Sequence, residues 1–95
     1  MFKDLDPILN SQVRLAVISI LMRVKSADFL YQKENTETTQ GNLSHQLKKL
    51  KEANYIEITK SFKNNYPHTT CKITASGRNA FEKYVEDIKG YLDIK

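Results

Sequence analysis

Ninety-five residues, 40% of them hydrophobic and with a formal net charge of +4, suit one compact domain over 1–95 that buries roughly 60–65% of its unfolded-chain surface. No apolar run approaches the ~20 residues needed to cross a bilayer, and the start MFKDLDPI lacks the basic-then-apolar form of a secretion signal, so a cytoplasmic location is expected. One cysteine excludes an internal disulfide framework, and with two scattered histidines it gives no metal-ligand spacing, so neither metal nor other cofactor is expected.

Asp6-Pro7 reads as a helix cap followed by proline at the first helical position, with Ser11 as a second cap. From Val13 the chain is apolar at Leu15, Ala16, Val17, Ile18, Ile20, Leu21, Met22 and Val24. That is too much for one buried stripe, so this helix must be covered on several sides, by the rest of the domain or by a second subunit. Ser26 is expected to cap a second helix, with Ala27 and Asp28 in its first turn and an end near Asn35. After a brief polar turn, Thr39 caps a third helix whose Leu43, Leu47 and Leu50 share one face, and Asn54 can close it in the left-handed conformation.

Ile56, Ile58 and Phe62 alternate with polar residues in a strand, as do Cys71 and Ile73 in another, and the polar loop KNNYPH joins them into a hairpin with an exposed tip. Thr74 caps the last helix, with a long stripe of Phe81, Tyr84, Val85, Ile88, Tyr91 and Leu92. The positive charge is unevenly placed. Residues 36–78 hold seven Lys or Arg against three Glu, which is the whole of the formal +4, and such concentration suits a polyanion-binding surface.

Helix, helix, turn, helix, hairpin, helix describes an α+β, mainly α, winged helix-turn-helix. The stretches VRLAVISIL, ADFLYQ, TTQGNLSHQLKKLKEANYIEI and YPHTTCKITASGRNAFEKY resemble, in order and spacing, the short winged-helix transcriptional regulators related to the MarR and ArsR groups. The resemblance covers nearly the whole chain. It implies that GNLSHQLKKL is a recognition helix and that Thr74 to Arg78 form the strand-to-helix joint after the wing. The chain departs from those proteins at Asn54, where glycine is general, and at His68, where Lys or Arg is common.

With the leucines turned inward, Gly41, His45, Lys48 and Glu52 fall on the opposite face of the third helix, flanked by Asn42 and Lys49. Thr38, Thr39 and Gly41 form its entrance, where the lack of a Cβ at Gly41 lets a phosphate or base edge come close. Asn42 and His45, helped by Gln40 and Ser44, are the candidates for base edges. Lys48, Lys49, Lys60 and Lys63 suit phosphates, and Asn64, Asn65, Tyr66, His68 and Thr69 the wing contact.

The expected partner is double-stranded DNA carrying an inverted repeat, gripped by a homodimer. Its interface would be built from Leu15, Ile18 and Met22 of the first helix and Phe81, Tyr84, Val85, Ile88, Tyr91 and Leu92 of the last. An adaptor that binds an acidic protein would account for the same lysines without DNA. Enzymatic chemistry has no constellation behind it: Ser44 and His45 point about 100° apart on a helix, and Cys71 reads as an inert buried thiol. Tyr31, Tyr55, Tyr84 and Tyr91 fit packing positions. Nothing in the sequence names a small-molecule effector.

Overall fold

The computed structural model describes residues 2–93. Its elements are α1 (Gln12–Leu21), β1 (Ala27–Asp28), α2 (Phe29–Thr36), α3 (Gln40–Glu52), β2 (Ile56–Lys63), β3 (Tyr66–Ile73) and α4 (Ala75–Leu92). The strands form one antiparallel sheet in the order β1-β3-β2. This is the winged helix-turn-helix expected from the sequence, with a very short third strand added.

Asp6 does not start a helix. Its Oδ1 accepts from the Ile8 amide and its carbonyl from the Asn10 amide, both at 2.8 Å, which closes one isolated turn and seats Leu9 in the core. The helix proper begins a turn later under Ser11, whose hydroxyl accepts from the Arg14 amide. It also ends before Val24, which is exposed. Val17, Ile18 and Leu21 are wholly buried, and α1 touches α2, α3, α4 and β3. Its apolar breadth is therefore met largely within the protomer.

Ala27 and Asp28 do not form the first turn of a helix under Ser26. They pair with Cys71 and Thr70 of β3, and Asp28 then caps α2 by accepting from the Tyr31 amide at 2.7 Å. Gln32, the one buried polar side chain among the described residues, donates from Nε2 to the carbonyls of Ala27 and Asp28 at 3.0 and 3.1 Å. That bond ties the two-residue strand to the helix after it. Cys71 is buried beside them, and burial pushes its thiol pKa up.

The hairpin is longer and its turn tighter than KNNYPH suggests. Asn64 and Asn65 alone make the turn, with φ of 52° and 66°, the two successive left-handed residues that a type I′ turn needs and that asparagine tolerates. Pro67 lies within β3, opposite Phe62. A two-residue turn makes its flanking pair, Lys63 and Tyr66, the hydrogen-bonded one, so the next pair is not, and the missing N–H of Pro67 removes no ladder bond to β2. Phe62 does not join the core: the strands run out past the helices, leaving it 78% exposed.

Two joints fix how α3 and α4 meet the sheet. Asn54 adopts φ 64°, the Tyr55 amide donates to the Leu50 carbonyl at 3.0 Å, and the Asn54 amide donates to that of Lys51 at 2.9 Å. This is a Schellman closure with asparagine in the usual glycine position. Thr74 then caps α4 by accepting from the Gly77 amide at 2.9 Å, and its hydroxyl donates to the Asn54 carbonyl at 2.7 Å. A Cβ on Gly77 would stand 2.2 Å from the Tyr55 carbonyl oxygen. Thr74 and Gly77 of the strand-to-helix joint are thereby explained by packing.

The tyrosines are less uniformly packed than expected. Tyr84 is buried and donates to Asn10 Oδ1 at 3.3 Å, whereas Tyr31 is about half exposed. Tyr91, 38% exposed, stands against the Phe2 ring at a centroid separation of 5.1 Å and donates to the Lys3 carbonyl. Tyr55 donates to Asp6 Oδ2 at 2.5 Å; partial burial, reinforced by the hydrogen bond to and the charge of Asp6, pushes its hydroxyl up to about 12.

Candidate nucleic-acid interface

With Leu43, Leu47 and Leu50 wholly or almost wholly buried, α3 turns the remainder of its circumference outward. Thr39, Gln40, Gly41, Asn42, Ser44, His45, Lys48 and Lys49 are all exposed, and Thr38 partly so. At about 100° per residue the positions outside the leucine stripe divide into three strips. Gly41, His45 and Glu52 point straight out. Gln40, Ser44, Lys48 and Lys51 line one flank, and Asn42, Gln46 and Lys49 the other.

The first flank faces the wing. Between them runs an open groove of about 820 Å³ lined by Gln40, Ser44, Leu47, Lys48 and Lys51 from α3, Phe29 from α2, and Ile58, Lys60, Pro67 and Thr69 from the hairpin. Three ammonium groups on apolar walls make it cationic. Strand alternation explains which wing residues take part: Lys60 and Thr69 are register partners on the face toward α3, as are Phe62 and Pro67. Lys63 and Tyr66, and Ser61 and His68, occupy the other face. The expected wing residues therefore split, with Lys60 and Thr69 in the groove, Lys63, Tyr66 and His68 turned away, and Asn64 and Asn65 at the tip.

The second flank is a hydrogen-bonded row. Asn42 is exposed but not free: Oδ1 accepts from Gln46 Nε2 at 3.0 Å, and Nδ2 donates to Thr38 Oγ1 at 2.7 Å. At the helix start, Thr39 Oγ1 accepts the Asn42 amide at 3.1 Å. The amides of Gln40 and Gly41, which helix geometry leaves without an intrahelical acceptor, open to the outside. A Cβ built on Gly41 meets nothing within 4 Å. No neighbour within the protein requires this glycine.

Lys51 and Gln46 are the residues that sequence reasoning missed. The signal was available: the same 100° count that placed Asn42 and Lys49 on one flank puts Lys51 on the other, beside Ser44 and Lys48. Among the described residues no group of His, Cys, Asp or Glu is spaced to hold a metal ion, and no helix is long and apolar enough to cross a membrane.

A sequence profile described as the winged helix DNA-binding domain matches residues 13–92, a span from the start of α1 to the end of α4. The chain belongs to the winged helix DNA-binding domain family. The chain is 41% identical over 81 residues to the protein MJ0432 of Methanocaldococcus jannaschii, an alignment covering 85% of this chain and 88% of that one. A transcriptional regulator homologue from Pyrococcus horikoshii OT3 superimposes with a TM-score of 0.83 at 24% identity, over 90% of this chain and 85% of the other. A MarR-family transcriptional regulator from Silicibacter pomeroyi gives a TM-score of 0.69 at 14% identity, over 90% of this chain and 57% of its own. The fold is thus MarR-like.

The residues expected at a dimer interface divide as well. Ile18 is wholly buried and Tyr84 is 8% exposed, both inside the protomer's own core. Leu15, Met22 and Phe81 pack partly against that core. Val85, Tyr91 and Leu92 are exposed at 36%, 38% and 73%, and with half-buried Ile88 they extend the apolar stripe along the C-terminal half of α4.

Proposed function

We propose that the protein is a sequence-specific, double-stranded DNA-binding transcriptional regulator that acts in the cytoplasm as a homodimer on an inverted repeat. The carrying observation is the cationic groove joined to the polar outer face of α3: Lys48, Lys51 and Lys60 flank a strip of neutral hydrogen-bonding groups. Phosphate contacts need mobile cations, and base edges need neutral donors and acceptors among them. In this reading α3 enters a major groove, Lys60 and Lys63 follow the backbone from the two faces of the wing, and His45 points at the groove floor. The likeness to solved transcriptional regulators supports the same reading.

The homodimer rests on the C-terminal stripe of α4, where Val85, Tyr91 and Leu92 remain exposed in the protomer. Two copies joined there would set their third helices one DNA turn, ~34–36 Å, apart. A titration of fluorescent duplex by anisotropy at several salt concentrations tests the surface. Lys48→Ala and Lys63→Ala should each lower the slope of log affinity against log salt by roughly 0.9. Slopes equal to wild type in both variants would remove these lysines from the interface, and binding of an acidic protein with no duplex shift at low salt would favour the adaptor instead.

A further inference from the structure

Arg14 stands on α1, yet its guanidinium reaches the second flank of α3. Nε donates to the Ile8 carbonyl at 2.6 Å, Nη2 to that of Pro7 at 3.4 Å, and Nη1 to Gln46 Oε1. Gln46 Nε2 donates in turn to Asn42 Oδ1 at 3.0 Å, and Asn42 Nδ2 to Thr38 Oγ1 at 2.7 Å. From Arg14 to Thr38 every bond runs in one direction, and all the acceptors of Arg14 are neutral oxygens.

That direction has a physical cause. A guanidinium only donates, so Gln46 must turn its oxygen to Arg14, which leaves its NH2 group for Asn42. Asn42 must then turn its own oxygen to Gln46 and its NH2 group to Thr38. A free carboxamide presents donor and acceptor in either order, because a half-turn exchanges groups of nearly equal size. Here the half-turn would set NH2 against NH2 and break the row.

We infer that Arg14 is a positioning residue for base reading: through Gln46 it locks the Asn42 carboxamide in one of its two orientations. The inference rests on the DNA-binding reading above and adds what fixes the polarity of its recognition surface. Within the row each amide atom of Asn42 keeps one free site, a second hydrogen on Nδ2 and a second lone pair on Oδ1. The exposed edge therefore offers a donor on the Thr38 side and an acceptor on the Gln46 side, the pair that the N7 and N6 edge of adenine requires. An adenine presented in the reverse order finds donor facing donor.

Gln46→Glu is the discriminating variant. It keeps an acceptor for Arg14 but replaces the donor facing Asn42 with an oxygen, so the Asn42 carboxamide must turn over. Selection of bound duplexes from a random pool should give wild type a preference at one base pair per half-site that Asn42→Ala abolishes. Gln46→Glu should change the base chosen there. Arg14→Met should flatten the preference by about fivefold or more with the wild-type salt slope retained, and Arg14→Lys, which keeps one donor, should restore part of it. A second measurement needs no DNA: the side-chain amide NMR signals of Asn42 in the free protein should shift in Arg14→Met. The same spectra show whether each variant is folded; if Arg14→Met is not, Gln46→Glu carries the test. Unmoved Asn42 signals, or an unchanged preference in Gln46→Glu while wild type still selects a sequence, would overturn the relay and leave DNA binding standing. Failure of wild type to bind any duplex would remove both.

Discussion

Replacing Gly41 by alanine separates what the fold needs from what a bound duplex would need. A Cβ there meets no atom within 4 Å, and the backbone is not in the left-handed region, so the folded protein has no objection to the methyl group. Alanine is better than glycine by about 0.8–1.0 kcal/mol in a helix interior. At the second helical residue, roughly half of that is expected, which raises Tm by about 2–4 °C for a chain of this size. Affinity should move the opposite way. The methyl would stand where a phosphate or base edge is expected from the sequence to approach the first-turn amides, and losing one charge-assisted hydrogen bond of about 1.5–3 kcal/mol weakens binding roughly 10- to 150-fold. Thermal melts followed by circular dichroism, with anisotropy titrations at one fixed salt concentration, read both quantities on the same sample. A higher Tm with unchanged Kd would take the α3 entrance out of the interface, and a lower Tm would contradict the open space around Gly41.

Gly77 should behave in the reverse manner. Its Cβ would collide with the Tyr55 carbonyl oxygen at 2.2 Å, so Gly77→Ala should cost about 1–3 kcal/mol or more, and a melt within a degree of wild type would refute the close approach. Alkaline titration tests the Tyr55–Asp6 contact. The folded state holds the Tyr55 proton up to about 12 against an ordinary 10, so this stabilisation is complete below pH 10 and is lost as pH climbs toward 12. Urea midpoints of wild type should fall more steeply over that window than those of Tyr55→Phe, and parallel curves would dissociate the tyrosine from alkaline stability. Val85→Glu, placed on the exposed stripe of α4, should convert a dimer into a monomer in sedimentation with little change in Tm; an undisturbed dimer would put the interface elsewhere.

The joints most legible in the sequence are those whose causes lie within a few residues. Thr39 and Thr74 cap because each hydroxyl reaches an amide three positions on, and Asn54 closes α3 through atoms of the same helix turn. β1 was hidden because its partners, Cys71 and Thr70, are more than forty positions away, and two residues carry no periodicity. Asp6-Pro7 has the composition of a helix start, but one turn closed by the Asn10 amide satisfies it and the helix begins afresh at Ser11. At the wing tip, proline and two asparagines hid four residues of strand, Lys63 and Tyr66 to His68, because a type I′ turn needs only the asparagines. The outer face of α3 followed from the leucine spacing alone, whereas the bond from Arg14 to Gln46 spans 32 positions and two helices, so no local pattern announces it.

The two flanks of α3 differ in mechanics, and this bears on how one short helix can both hold and read a duplex. Toward the wing, Lys48, Lys51 and Lys60 end in freely rotating ammonium groups around an open groove. Such groups follow a phosphate backbone whatever its sequence. Toward α1, Thr38, Asn42 and Gln46 are tied in a row anchored by a half-buried arginine, and a preorganised amide loses less conformational freedom on pairing with a base. If both flanks meet one duplex, mutations on the lysine side should change affinity and its salt dependence while sparing base preference. Mutations in the row should change base preference while sparing the salt slope, apart from any that add a charge. A lysine variant that altered the selected sequence as strongly as Asn42→Ala would show that the flanks do not divide the work in this way.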